Sequence, residues 1–226
     1  TYPKAETLNA FMRGVYHWMA AGLGLTALTA YITISTPALI NILKTNPMLL
    51  LLLIFAELGM VIAMSAAIHK LSAATATGLF MLYSGLNGVT ISPILLIYTG
   101  ASVAGTFVIC AGMFGAMSIY GLTTKKDLSS WGSFLFMGLI GIILASLVNI
   151  FLQSSMLHFV VSGIGVLVFV GLTAYDTQKL REMGESAPMD DGTAVRRGTI
   201  LGALRLYLDF INLFLMLLRF FGQMRE

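Results

Sequence analysis

The stretch "ALRLYLDFINLFLMLLRFFG", residues 203–222, decides the fold. It is apolar enough for the hydrocarbon of a bilayer, yet it carries Arg205, Asp209 and Arg219. On a helix turning about 100° per residue, Gly198, Gly202, Arg205, Asp209, Asn212, Met216 and Arg219 form one stripe. Tyr207, Phe210, Ile211, Phe214, Leu218 and Phe221 cover the other side. A polar stripe with small residues at one end belongs against other helices rather than lipid. "GTILG" at 198–202 also has the small-xxx-small spacing that lets helix backbones approach. A helix here is expected inside a bundle.

The rest of the chain provides that bundle. Of its 226 residues 58% are hydrophobic and 10% charged, against about 25% charged in globular proteins. Residues 71–124 and 128–175 contain no Asp, Glu, Lys or Arg. Seven runs are near the ~20 apolar residues that a spanning helix requires, at about 15–36, 47–68, 73–92, 101–122, 132–152, 157–180 and 198–221. Barrel-type alternation is missing, and helices are the remaining way to satisfy the backbone in lipid. The expected class is an all-α integral membrane protein of seven transmembrane helices, one bundle domain over residues 1–226. Its basic residues are spread over loops, which argues against nucleic acid as a partner. Cys110 is alone, and His17, His69 and His158 lie in different segments, so no disulfide or metal cluster is expected. The first apolar run spans and lacks a cleavage site, so no cleavable signal is expected. One side of the membrane collects Lys4, Arg13, Lys70, Lys125, Lys126, Lys179, Arg181, Arg196 and Arg197. The other has Lys44 and Arg225, which predicts a cytoplasmic N-terminus and an outside C-terminus.

Four charges fall inside spans or near their inner ends: Glu57, Asp176, Arg205 and Asp209. Each costs roughly 2.5–3.5 kcal/mol at a helix centre, so together they cost on the order of 10 kcal/mol if unpaired. Arg205 and Asp209 are spaced i, i+4 and can pair within one helix. Asp176 stands roughly 10 Å and Asp209 roughly 16 Å from the inner ends of their helices, counted at 1.5 Å per residue. That difference permits contact, and two touching carboxylates would share a proton. The alternative is an interfacial Asp176 paired with Lys179 or Arg181. Glu57 has no charged neighbour one turn away, and a lone intramembrane acid faces a cavity or is protonated. In "YSGLNGVTISPIL", Gly85, Asn87, Gly88 and Pro93 are expected to weaken span 3, as a kink or as carbonyls lining a wet passage. Arg219 is expected to snorkel.

The segments "TTKKDLSSWGSFLFMGLIG", "LVNIFL", "GLTAYDTQKL" and "LYLDFINLFLMLLRFFG" resemble the Bax inhibitor-1 family of transmembrane Bax inhibitor motif proteins, over essentially residues 10–222. The resemblance implies a central last helix wrapped by the other six, and a pH-sensitive calcium leak across the membrane. It implies that Asp176 and Asp209 form a proton-sharing sensor and that Glu57 lies on the ion path. Calcium would then be the permeant ion, held weakly and transiently by Glu57, Asp176 and Asp209, with no tightly bound cofactor. In the family a basic cluster closes helix 2, one arginine bonding to the sixth-helix aspartate. Here that end reads "AAIHKL" with Ile68 at the arginine position, so Arg205 and Lys70 are expected to supply the countercharge.

Lipid, calcium and protons are thus the expected partners, in a cytoplasmic (inner) membrane. Three other functions compete. An intramembrane aspartyl protease also uses "YD", but it needs "GxGD" where this chain has "LYLD", so no enzyme activity is expected. A regulatory module acting on a membrane-protein partner would conduct nothing by itself. A proton-coupled cation exchanger would show saturable, gradient-driven flux.

Overall fold

The computed structural model describes residues 4–187 and 191–225. The extremes of the expected 1–226 domain, and residues 188–190 in the loop before the last span, lie outside the described residues. The helices are α1 (Lys4–Ser35), α2 (Pro37–Thr45), α3 (Pro47–Ala67), α4 (Ala73–Ile97), α5 (Gly100–Thr123), α6 (Ser129–Leu152), α7 (Ser155–Glu185) and α8 (Gly192–Phe221). Seven of them, all but α2, are long and apolar enough to cross a membrane. The chain is an integral membrane protein. α2 fills the expected loop "STPALINILKTNP": Pro37 and Pro47 stand at the first positions of α2 and α3, where a missing N–H costs nothing.

Helices extend beyond the apolar runs where their ends find partners. α1 begins at Lys4 rather than near residue 15. Phe11, Met12 and Val15 are buried there. Phe11 lies within 3.4 Å of where a Cβ would stand on both Gly184 and Gly198, joining the start of α1 to the end of α7 and the start of α8. At 32 residues α1 is roughly 48 Å long, well beyond the ~30 Å hydrocarbon core.

Burial divides the spans. Only 11% of the apolar window is buried in α3 and in α6, against 72% in α8. α6 presents Phe134, Met137 and Phe151 outward, as a lipid-facing helix does. On α8 both sides are covered: Asp209 and Met216 on the polar stripe are buried, and so are Tyr207, Phe210, Phe214 and Leu218 opposite them. The last span is therefore the interior helix, as expected.

The chain folds as two compact units, Thr1–Ile97 with Glu182–Tyr207, and Tyr98–Arg181 with Leu208–Glu226. In the first, α1 and α4 are packed backbone to backbone. A Cβ on Gly88 would stand 2.2 Å from the Thr26 carbonyl oxygen and 2.1 Å from Thr29 Oγ1, so only glycine fits. In the second, a Cβ on Gly121 of α5 would meet the Ala174 carbonyl oxygen of α7 at 2.5 Å. The tail after α8 is tied to the start of α5, with Thr99 N donating to Gln223 O (3.0 Å) and Gln223 N to Ser102 Oγ (2.9 Å).

Span 3 stays helical through its weak points. α4 runs unbroken through Gly85, Gly88 and Pro93. Pro93 lacks the N–H that would bond the Val89 carbonyl, but Ser92 Oγ donates to that oxygen at 2.7 Å. Gly88 serves close packing, and the carbonyl freed by proline is taken within the helix.

Candidate functional site

Glu57 projects from α3 and is 7% exposed. Two neutral side chains on α4, three residues apart and so on one face, donate to its carboxylate: Asn87 Nδ2 to Oε2 at 3.2 Å, and Thr90 Oγ1 to Oε1. Hydrogen bonds to a charged group are worth about 1.5–3 kcal/mol each. Two of them match the roughly 2.5–3.5 kcal/mol cost of an acid at mid-membrane. The sequence offered a cavity or a proton for Glu57; the fold adds donors.

Asn87 has its own support. Its Oδ1 accepts from Tyr207 Oη of α8 at 3.2 Å, and that hydroxyl lies 2.6 Å from Thr26 Oγ1 of α1. One consistent set of proton positions runs from Thr26 to Tyr207, from Tyr207 to Asn87, and from Asn87 to Glu57. Every donor then points toward the carboxylate. Thr26 Oγ1 is also 2.8 Å from the Ser84 carbonyl oxygen, an alternative acceptor for its proton. Tyr207 is wholly buried, with Phe80 and Tyr83 edge-on to its ring at centroid distances of 5.8 and 5.7 Å. The network thus joins α1, α3, α4 and α8 around one acid, all within the first unit.

Lys70 and Arg205 belong to that unit too. Lys70 is exposed in the turn after α3, two residues past the buried Ile68, and Arg205 is half-buried on α8. Asp176 and Asp209 belong to the second unit. Asp209 is 5% exposed and Asp176 half-buried, and both are engaged by neighbours. Just beyond Asp176, α7 grips the α5–α6 loop. Gln178 Oε1 accepts from Leu128 N and its Nε2 donates to Lys126 O, both at 2.8 Å. Arg181 Nη1 donates to the carbonyls of Leu122 (2.9 Å) and Thr124 (3.2 Å), which α5 leaves open at its end. In that loop Asp127 Oδ1 accepts from Ser129 N at 2.8 Å, and bonding to Ser129 holds the Asp127 carboxyl below its ordinary range. Cys110 is buried and free, its thiol 3.6 Å from the Phe210 carbonyl oxygen. Among the described residues no group of three or more His, Cys, Asp or Glu is placed to hold a metal ion.

The model of the family described as inhibitor of apoptosis-promoting Bax1 matches residues 8–226. The chain belongs to the Bax inhibitor-1 family. Inner membrane protein YbhL of Escherichia coli K12 is 58% identical over 96% of this chain and 93% of its own length. An uncharacterized protein of Borreliella burgdorferi is 48% identical over 100% of this chain and 98% of its own. A third relative, from Deinococcus radiodurans and also uncharacterized, is 45% identical over 94% and 90%.

Within this Bax inhibitor-1 protein, the residues that sequence reasoning missed are the neutral ones. Thr26, Thr90 and Tyr207 carry no charge, and Asn87 reads as a helix breaker. The available signal was the hydroxyl of Tyr207 on an otherwise apolar face of "LRLYLDF". A buried tyrosine hydroxyl needs a partner.

Proposed function

We propose that this Bax inhibitor-1 family member is a calcium leak of the inner membrane, opened and closed by pH through Asp176 and Asp209, with Glu57 on the ion path. The observation that carries the reading is Asp209, a carboxylate 5% exposed on the most buried span. A protonatable group in the interior helix, engaged by its surroundings, couples proton binding to helix packing. With one proton shared between Asp176 and Asp209, α7 and α8 stay together; loss of that proton separates them. Lower pH closes the path.

Glu57 supports a cation route of low affinity. Its surroundings are oxygen-rich, with Asn87, Thr90, Tyr207 and Thr26 in one network. Calcium prefers oxygen ligands and takes six to eight of them when held tightly. A single carboxylate among neutral oxygens binds more weakly, and a leak must release its ion. Arg205 is the proposed countercharge on α8, and Lys70 the one at the end of α3. The same reading places the N-terminus in the cytoplasm and assigns transport rather than catalysis.

The test is calcium-dye flux into proteoliposomes. The wild-type protein is expected to conduct less as pH falls, and Asp209→Asn to lose that dependence. Unchanged pH-dependent flux in Asp209→Asn contradicts the gate. Flux only under an imposed proton gradient would make the protein an exchanger, and none at all would favour a regulatory module.

A further inference from the structure

Where α6 ends, α7 begins and α8 ends, an open cavity of about 290 Å³ lies between Ser146, Asn149, His158, Ser162 and Arg219. All five belong to the second unit. Arg219 and Asn149 bring hydrogen-bond donors to it. A guanidinium has five N–H groups and no acceptor. Asn149 Oδ1 already accepts from Ser154 N at 3.0 Å, which leaves the Asn149 amide N–H groups for other partners. Ser162 Oγ donates to the His158 carbonyl at 2.8 Å. His158 and Arg219 are near enough to interact electrostatically. Among the described residues no carboxylate lines the cavity. One guanidinium therefore stands in a recess that, among the described residues, supplies no anion.

Position narrows the ligand. Arg219 precedes the last residue of α8 by two, Asn149 precedes that of α6 by three, and His158 follows the first of α7 by three. Each is within one turn of a span end, the depth of lipid headgroups. The helix ends that carry it are apolar and outward: Ile150, which lines it, and Phe151, Met156 and Phe159 of the same ends of α6 and α7 are exposed to between 51% and 87%. Such helix ends suit acyl chains, while the recess suits their phosphate. Arginine recognises phosphate through paired, charge-assisted N–H bonds. We propose that this cavity binds the phosphate of an anionic phospholipid, with Arg219 as the anchor and Asn149 and His158 as further donors. Arg219 then faces a ligand rather than merely reaching toward water.

The full chain, purified in detergent and mixed with phosphatidylglycerol, phosphatidylcholine or inorganic phosphate, gives the test by native mass spectrometry. One retained phosphatidylglycerol per chain is expected, with less phosphatidylcholine and no displacement by millimolar phosphate. Arg219→Gln should weaken retention about tenfold or more, as loss of a charge-assisted bond does, and Arg219→Lys by less. Ser146→Leu fills the recess while keeping the guanidinium, and should also release lipid; it carries the test if Arg219→Gln does not elute as folded protein. Wild-type retention in folded Ser146→Leu and Arg219→Gln overturns the proposal. Displacement of lipid by inorganic phosphate, with phosphate itself bound, overturns the lipid assignment in favour of a soluble anion.

Discussion

Replacing Tyr207 by Phe removes one oxygen and leaves the ring between Phe80 and Tyr83 in place. What changes is the network. Asn87 Oδ1 loses the hydroxyl that donates to it at 3.2 Å. Thr26 loses a partner at 2.6 Å but retains the Ser84 carbonyl at 2.8 Å and the Gly22 carbonyl at 2.9 Å. The cost therefore falls on Asn87, whose buried amide oxygen is left without its donor. In water-soluble proteins such a loss costs about 1–3 kcal/mol. Within a membrane the unfolded reference also finds partners, and measured side-chain couplings average about 0.6 and reach about 1.7 kcal/mol. A double-mutant cycle of Tyr207→Phe with Asn87→Leu, read by reversible unfolding in mixed micelles, should give a coupling of about 0.6–1.7 kcal/mol. A cycle of Tyr207→Phe with Thr26→Val should give less, because Thr26 has its alternatives. Equal couplings in the two cycles, or none in the first, would refute the directed chain toward Glu57.

Three further outcomes follow from the packing and the loop. Gly88→Ala forces a Cβ to within 2.2 Å of the Thr26 carbonyl oxygen, and should cost at least the ~1–3 kcal/mol of overpacking. Gly24→Ala, with nothing within 4 Å of its Cβ, should melt at or above the wild-type temperature; equal melting of both variants would contradict the close α1–α4 approach. Asp127 is held low by Ser129, so its stabilising contact is complete above the ordinary value of 3.8 and is lost as pH falls through the lower folded value. In Ser129→Ala the Asp127 carboxyl, followed by NMR, should titrate at higher pH than in wild type, and an unmoved midpoint would refute the assignment.

The spans were legible because lipid imposes one rule, about 20 apolar residues per crossing, and seven stretches obey it. Their ends were not. Counting apolar residues stops at the first polar ones, whereas α1 continues to Lys4 and α7 to Glu185 because Phe11 packs where Gly184 and Gly198 leave room. Gly88 and Pro93 read in the sequence as weak points of a helix, and the fold shows what offsets them. Propensity treats both as breaks, but a glycine can be a point of close packing and a proline's orphaned carbonyl can be served by Ser92. The charges of the candidate site were visible for the same reason as the spans, since a carboxylate stands out against Leu and Phe. What surrounds Glu57 was hidden because Asn87, Thr90 and Tyr207 come from α4 and α8, and only the fold brings them to α3.

That surrounding also bears on why an acid is tolerable here at all. An arginine partner for Glu57 would cancel its charge and leave nothing to attract a cation. Asn87 and Thr90 lower the energy of the carboxylate while leaving its negative charge intact. Two donors at about 1.5–3 kcal/mol each offset insertion without a counterion. Substituting glutamine probes the network. One of its terminal atoms becomes an N–H donor, and Thr90 can meet it: the hydroxyl accepts that N–H and donates to the Leu86 carbonyl at 3.0 Å. The remaining amide oxygen still accepts from Asn87, which keeps its orientation toward Tyr207. Glu57→Gln should therefore leave the Asn87–Tyr207 coupling measured by the double-mutant cycle unchanged. A coupling lost in Glu57→Gln would mean that the negative charge, and not hydrogen bonding alone, orients the Asn87 amide.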